Sequence, residues 1–473
     1  MPREFTSDGD VAFGGFNSYP NSAAFEPDKG VLEMSQNMRI VEGVITRRKG
    51  LHKFYNHSSG NVLYAAPSYG VQDYIYFWHS NDLHRVSTTN YNGLETVSPG
   101  ARAFNQVRGQ GYMGLASVEA ATTANWTGDY DFTDACNVLG RMAYCKSDQV
   151  WFSLYGGVQP FNGDTVSLVQ GTFDSNQALF YSYTNRKLYA FGKRSVYEVE
   201  PAFSSMSIED RQNVGENAFH KVVRLSSQDG ILAKDSVAEA MGSLFYLSHD
   251  GIKQISLDKG MLEGQAPISD KIADLFTGIP AADLQKAVGV SFNGRYYLLM
   301  PNQTNHKLDR VLVLDPTLPG LFESIDSYHV ELVSIMVARD SDKKPALWAI
   351  DKNGHIYQME VDSTDDGTAY QGMFRTRNYN FRSEMDKRYD AVMLRMNTNG
   401  SAHVELSFRS INPDGLHLID TINGNVGGTV RRALAGKKCS GCNVEVVVKS
   451  GFPTFYSVMV DGSLAGRSIF NVF

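Results

Sequence analysis

The stretch YIYFWHSNDLHRVST, residues 74–88, decides the fold. Aromatic and β-branched residues fill both arms, and the polar run His79-Ser80-Asn81-Asp82 separates them, which is the pattern of a strand, a tight turn and a second strand. The layout returns in RMAYCKSDQVWFSLY (141–155), with its turn at Lys146-Ser147-Asp148-Gln149, and in ALFYSYTNRKLYAFGKRSVYEVE (178–200), which adds a third strand. It returns again in SLFYLSHDGIKQIS (243–256), GRYYLLMPNQTNHKLDRVLVLDP (294–316) and ALWAIDKNGHIYQME (346–360). Several copies follow an apolar strand of their own: SVAEAM (236–241), KAVGVSF (286–292) and LVSIMVA (332–338).

Three or four short strands per repeat, recurring at or above the roughly 40–50 residues of a blade repeat, point to a β-propeller of six blades. The alternative is a sandwich of unrelated hairpins. A ring of blades is preferred because it leaves only short, protected edges. The reading divides the chain into an N-terminal tether and first strand (1–55), a propeller (56–361) with a Gly-, Thr- and Ala-rich excursion at about 89–139, and a C-terminal all-β domain (362–473), sandwich- or barrel-like, that can pack with the N-terminal strand. Helical signal is confined to ISDKIADLFTGI (268–279), with Ser269 as its N-cap, and to a short turn in PAADLQKAV.

The bulk numbers fit an ordinary all-β chain. Of 473 residues 42% are hydrophobic and 20% charged, and 43 Gly, 24 Tyr and 26 Phe favour turns and strands over helices. The formal charge is −7, and no cationic run exceeds Arg47-Arg48-Lys49, which argues against tight nucleic-acid binding. No stretch reaches the roughly 18–20 apolar residues of a membrane span, and MPREFTSDGD has no apolar signal-peptide core, so a chain made in the cytoplasm without membrane insertion is expected.

Motifs for chemistry are missing or incomplete, so a non-enzymatic protein without metal or cofactor is expected. Cys439 and Cys442 form one CxxC, but Cys136 and Cys145 lie nine apart with no nearby His to complete a zinc site. Asp362, Thr364, Asp366 and Gly367 imitate the start of a calcium loop, whose twelfth position is Met373 where a bidentate Glu is needed. There is no GxxxxGK[ST], HExxH or GxSxG. A propeller glycosidase would need two carboxylates at one mouth of the ring. Its candidates, Asp250, Asp315 and Asp351, sit at turns or strand ends where Asp is common for turn reasons, and SHDGIKQI misses the sialidase Ser-x-Asp-x-Gly-x-x-Trp turn. His79, His84, His249 and His355 read as turn or surface residues, and Tyr296 and Tyr297 as packing residues.

The N-terminal GGFNSYPNSAAFEPDKGVLEMSQNMRIVEGVITRRKG (14–50) resembles the start of the tail hub and nozzle proteins of short-tailed bacteriophages, at Gly14, Gly15, Asn17, Pro27, Asn37, Arg39, Gly43, Arg48 and Gly50. DGIKQIS (250–256) with PISDKI (267–272), VSFNGRYYLLMP (290–301) and VLVLDP (311–316) extend the similarity, and the length resembles that of the packaged-DNA-stabilisation subgroup. The resemblance implies a virion protein of the tail: a homohexamer beneath the portal and adaptor rings, bearing a fibre, spike or needle and enclosing the channel that retains and conducts double-stranded DNA during ejection. Six copies would carry about −42, a wall along which a duplex slides. On that reading Phe16, Tyr19 and Phe25 of the tether gain burial on a neighbouring subunit, and Arg47 and Arg48 pair with carboxylates across the joint. Loops of 89–139 or the C-terminal domain would line or close the channel. The alternatives are a monomeric propeller that binds a receptor or glycan and, behind it, a propeller glycosidase.

Overall fold

A computed structural model of the chain describes residues 6–10, 12–13, 31–57, 62–67, 74–79, 82–89, 94–99, 132–155, 160–168, 174–207, 209–210, 220–259, 261–262, 266–318, 321–379, 386–411 and 415–464. The chain opens with β1 (Thr6–Asp10), β2 (Met34–Gln36), β3 (Met38–Val41), β4 (Val44–Arg47) and β5 (Gly50–Tyr55). Four-stranded antiparallel sheets follow in succession. The first is β6 (Val62–Pro67), β7 (Tyr74–His79), β8 (Asp82–Ser87) and β9 (Leu94–Pro99); the second is β10 (Asp134–Val138), β11 (Arg141–Lys146), β12 (Gln149–Ser153) and β13 (Pro160–Ser167). The third is β14 (Asn176–Ser182), β15 (Lys187–Gly192), β16 (Val196–Glu200) and β17 (Lys221–Ser226); the fourth is β18 (Ala238–Ala240), β19 (Ser243–Ser248), β20 (Gly251–Ser256) and β21 (Met261–Leu262). The hairpins β22 (Val288–Phe292) with β23 (Arg295–Pro301) and β24 (Leu308–Leu314) with β25 (Phe322–Ser327) form the fifth run. In the sixth, β26 (Leu332–Arg339), β27 (Pro345–Asp351) and β28 (Ile356–Asp362) take β5 as their fourth strand. The chain ends with β29 (Gly372–Arg375), β30 (Lys387–Asn397), β31 (Ala402–Ile411), β32 (Gly415–Gly424), β33 (Gly427–Cys439), β34 (Gly441–Ser450) and β35 (Thr454–Leu464).

Two compact units share these elements. One holds Lys53–Asp309 and Val330–Met359; the other holds Met1–His52, Arg310–His329 and Glu360–Phe473.

The first unit is the propeller, and apolar seams between successive sheets hold it together. Val138, Val150 and Phe152 of the second blade pack against Leu179, Leu188 and Val199 of the third, and Phe180, Tyr189 and Phe191 of the third against Leu244, Tyr246 and Ile255 of the fourth. The seam that closes the ring joins Val62, Ile75 and Phe77 of the first blade to Met336, Trp348 and Ile350 of the last. Tyr55, from the N-terminal strand, lies in the same seam, so the start of the chain completes the final blade. Each hairpin read from the repeats is present; in the first, Tyr74 pairs with Ser87 and His79 with Asp82.

The expectation at 268–279 is corrected. Ile268–Leu275 is 3-10 helical with non-helical backbone at Ile272, and the residue before it is Pro267. Ser269 does not cap it: its hydroxyl accepts the Ile252 N–H at 2.9 Å, tying the segment to β20. Within 89–139 the structure adds strands β9 and β10, while 100–131 lies outside the described residues.

The second unit is a sandwich. One sheet runs β3-β4-β35-β30-β33 with β1 along the far part of β35, and the other includes β25-β2-β29-β34-β31-β32. Alternate residues face inward as period two requires: Val392, Leu394 and Met396 on β30, Val404, Leu406 and Phe408 on β31, Val444, Val446 and Val448 on β34. Phe374 meets Phe455 at 5.1 Å and Tyr389 meets Phe408 at 5.6 Å, contacts that join the two sheets.

Trp348 is fully buried in the closing seam, donates its indole N–H to Ala338 O at 3.1 Å and meets Phe54 edge-on. Trp348→Ala leaves a cavity there and is expected to lower unfolding stability by about 3–5 kcal/mol, measured by urea denaturation with tryptophan-independent circular dichroism.

Candidate interface residues

Five of the residues that carry the N-terminal resemblance fall among the described ones, and each meets a geometric demand. Glu42 and Gly43 both have positive φ (51° and 78°) in the two-residue turn between β3 and β4, the backbone of a type I′ hairpin. Gly50 passes so close to the 364–365 turn that a Cβ would sit 2.0 Å from Thr364 O. Asn37 takes φ 54° between β2 and β3, a left-handed conformation that Asn tolerates. Its side chain then donates to Gln371 O at 2.7 Å and accepts from Ser327 N at 2.9 Å and Arg48 Nε at 3.0 Å.

Arg39, on β3, and Arg48, just past the end of β4, reach into one buried cluster. Arg39 grips Asp326 through Nη1 (3.0 Å) and Nη2 (2.5 Å) and bonds Glu360 through Nε at 2.9 Å. Arg48 makes a bidentate pair with Asp365 at 2.9 and 2.8 Å, and its other donors reach Asn37 Oδ1, Lys49 O and Ser327 O. All five N–H groups of Arg48 are therefore used. Its guanidinium lies 4.3 Å from the Tyr328 ring and 4.1 Å from the Tyr370 ring, and Asp326 stands 3.9 Å from its Nε. Burial alone would lower Arg48; Tyr328, Asp365 and Asp326 outweigh it and hold the group above its ordinary value. Burial pushes the Tyr370 hydroxyl up to about 12, against the opposing pull of Arg48 and Arg47.

Arg47 points elsewhere. It lies between the Tyr370 and Phe452 rings at 4.6 and 4.7 Å and donates to Ser363 O at 2.9 Å, and burial lowers its pKa. Arg47 and Arg48 are 5% and 1% exposed and bonded within their own chain, so the expectation that they pair across a subunit joint is corrected: Asp365 of the same chain holds Arg48, and carbonyls and rings of the same unit hold Arg47. Phe16, Tyr19 and Phe25 lie outside the described residues. The partners Asp326, Glu360 and Asp365 were not legible as such in the sequence, because they stand about 290–320 residues from the arginines they meet. The one local signal was Asp366-Gly367, which turns the backbone with positive φ at both residues just after Asp365.

The carboxylates considered for glycoside cleavage are occupied locally or stand in the open. Asp250 is an exposed turn residue, and Asp315 accepts from Thr317 N at 2.9 Å. Asp351 is buried and ties down its own turn, accepting from Asn353 N and His355 N and meeting His355 Nδ1 at 2.8 Å. His84 is buried beside Thr96 Oγ1 at 3.2 Å, and the side chain of His79 lies outside the described residues. Tyr296 and Tyr297 are both buried, and the Tyr296 hydroxyl donates to Ser236 O. All four cysteines are buried free thiols, and among the described residues no three His, Cys, Asp or Glu groups gather as metal ligands. No helix among them is long and apolar enough to cross a membrane.

On the sandwich, Asn443 Nδ2 donates to Glu33 Oε2 at 2.8 Å, and Arg375 pairs with Glu445 at 2.7 Å. Burial raises the Glu33 pKa, Arg375 and Arg409 oppose it, and Glu445 adds to it.

Two outcomes follow from this geometry. Arg48→Ala strands Asp365 and Asp326 in the interior and is expected to cost about 3–5 kcal/mol in urea unfolding; Arg48→Lys, with three donors in place of five, does not restore it. Because the folded protein holds the Glu33 proton more tightly than the unfolded chain, its contribution falls as pH rises from the ordinary carboxylate value near 4.5 through the raised folded value. Glu33→Gln should therefore flatten the decline in melting temperature over that window, read by scanning calorimetry at a series of pH values.

No protein-family model and no curated protein matches this chain. Among solved structures it is similar to a luciferin-regenerating enzyme (10% identity, TM-score 0.36, covering 66% of this chain and 95% of that one). It is also similar to the dihydro-heme d1 dehydrogenase NirN (13%, 0.32, 87% and 77%) and to regucalcin, a calcium-binding protein from Agrobacterium tumefaciens (8%, 0.34, 64% and 94%). By its own closed set of blades this chain is a β-propeller protein with an added β-sandwich.

Proposed function

We propose that this protein works by binding, through the faces and edges of a closed propeller and its sandwich, and that it does so as a component of a multi-subunit ring. The finer reading is a nozzle or hub of a short-tailed phage tail: a homohexamer in the virion, joined to a portal-adaptor ring and to a fibre, spike or needle, that retains and conducts double-stranded DNA without catalysing a reaction. The observation that carries it is the set Asn37, Arg39, Gly43, Arg48 and Gly50. The residues by which the N-terminus resembles those tail proteins are the ones that build the charge cluster, the β3–β4 turn and the close approach at residue 364. A motif whose members have such specific tasks is tied to an architecture and is more than a run of common turn residues.

A second reading has its own support. The ring of blades closes within one chain, on its own strand β5, so the propeller needs no partner to bury its seams. That suits a monomeric propeller that binds a receptor or glycan.

Static light scattering of the purified chain, alone and with particles lacking it, separates the two. A six-fold mass, or recruitment to tail-deficient particles seen by mass spectrometry, is the expected result. A single-chain mass together with a rise in melting temperature on adding a glycan would replace the ring reading with the second one.

A further inference from the structure

The sandwich sheet that runs β3-β4-β35-β30-β33 is closed at one end and open at the other. At the β3 end, backbone N–H groups facing away from β4 are taken by side chains of β25: Met38 N donates to Ser324 Oγ at 3.1 Å and Ile40 N to Glu323 Oε1 at 2.5 Å. At the other end β33 pairs with β30 alone, from Cys439↔Lys387 to Gly427↔Asn397, and no strand lies beyond it among the described residues. Among those residues the one side-chain bond to its backbone is Arg432 Nη1 to Arg431 O at 3.1 Å. A Cβ at Gly427 or Gly428 would meet nothing within 4 Å, so the start of the strand lies bare.

The open strand is basic. β33, GGTVRRALAGKKC, has Arg431, Arg432, Lys437 and Lys438 and no acid; all four cations are exposed. Arg432 pairs with Asp420 at 2.5 Å and Arg431 with Asp461 at 3.4 Å, surface pairs of a kind that holds little free energy. No ion pair among the described residues engages Lys437 or Lys438. Lys438 stands opposite Arg388 of β30, and Gly436, at φ 68°, lets the Arg388 side chain lie across the strand beside the two lysines. Arg388 is matched by Asp390 at 3.2 Å, so the lysines are a local cationic surplus in a chain of formal charge −7.

We propose that the open edge of β33 takes an extended acidic segment of a partner protein, which joins the sheet as its next strand. Two features select this occupant. An open row of backbone N–H and C=O groups is matched by another strand, whose own backbone supplies the missing donors and acceptors; a nucleic-acid duplex cannot supply them in that spacing. Charge then selects among strands. Cations along the edge oppose a basic one, including β33 of a second copy, and favour one that carries Asp or Glu. Lysines on an edge strand guard a sheet against indiscriminate pairing, and the same charges set which strand this edge accepts. The inference adds a partner site to the binding reading and holds whether the chain works in a ring or singly.

The test is fluorescence anisotropy of the full-length chain with a labelled peptide of about ten residues that alternates Glu and Val, the pattern of an added strand. Beside it run a Glu-Pro peptide of equal length and charge, which cannot pair as a strand, and a short DNA duplex. The Glu-Val peptide is expected to bind and to slow amide exchange over Gly427–Cys439, read by hydrogen–deuterium mass spectrometry. Lys437→Glu with Lys438→Glu is expected to weaken that binding roughly tenfold or more. Circular dichroism melts check that the double variant folds, and the exchange footprint on the wild type decides the matter without it. Equal affinity for the Glu-Pro peptide or the duplex overturns the proposal in favour of a plain polyanion patch. Protection confined to amides outside β33, unchanged affinity in the folded double variant, or no binding of the Glu-Val peptide at millimolar concentration overturns it too. None of these results bears on the ring reading, which the mass measurement decides.

Discussion

The second unit depends on Asp326, a fully buried carboxylate between Arg39 at 2.5–3.0 Å and Arg48 at 3.9 Å. Charges taken out of water cost several kcal/mol each unless their partners are placed well. Here they are: Ser324 Oγ donates to Asp326 at 3.0 Å, Asp365 takes a bidentate pair from Arg48, and Glu360 takes Arg39. The cluster therefore works as a lock more than as a source of net stability. It requires segments 37–48, 323–328 and 360–370 to come together in one arrangement, and any other arrangement leaves a buried charge without its partner.

The propeller is held by a different force. Its seams are apolar and non-directional, made of Val, Leu, Ile, Phe and Tyr from facing sheets, and they stabilise by area removed from water. Polar groups inside it are satisfied locally, as with Asp351 in its own turn or Ser269 on Ile252 N. The carboxylates and histidines that could have suggested catalysis are used as turn fasteners or stand singly.

Charge placement links the two themes. The chain carries a formal charge of −7, so copies of it repel at long range unless directed contacts offset the repulsion. The same net charge suits a surface past which a polyanion moves without adhering, the role that the tail reading requires.

Periodicity two was enough to show the blades, because alternation of apolar and polar residues around a short polar turn is written locally: 74–88 and 243–256 each contain a whole hairpin. The sequence alone thereby determined the propeller and an added all-β domain, sandwich- or barrel-like; the tertiary structure decided that it is a sandwich. It did not show that Ser269 would leave its helix to serve β20, since a hydroxyl's choice between cap and strand depends on what lies nearby in space. Nor did it show where Arg47 and Arg48 would point. They read as surface cations available to a neighbour, and only the tertiary structure brought Asp326 and Asp365, some 290–320 residues further along the chain, within bonding distance of Arg39 and Arg48. Local pattern specifies strands and turns, whereas the partner of a buried charge is set by which distant segments the fold makes neighbours.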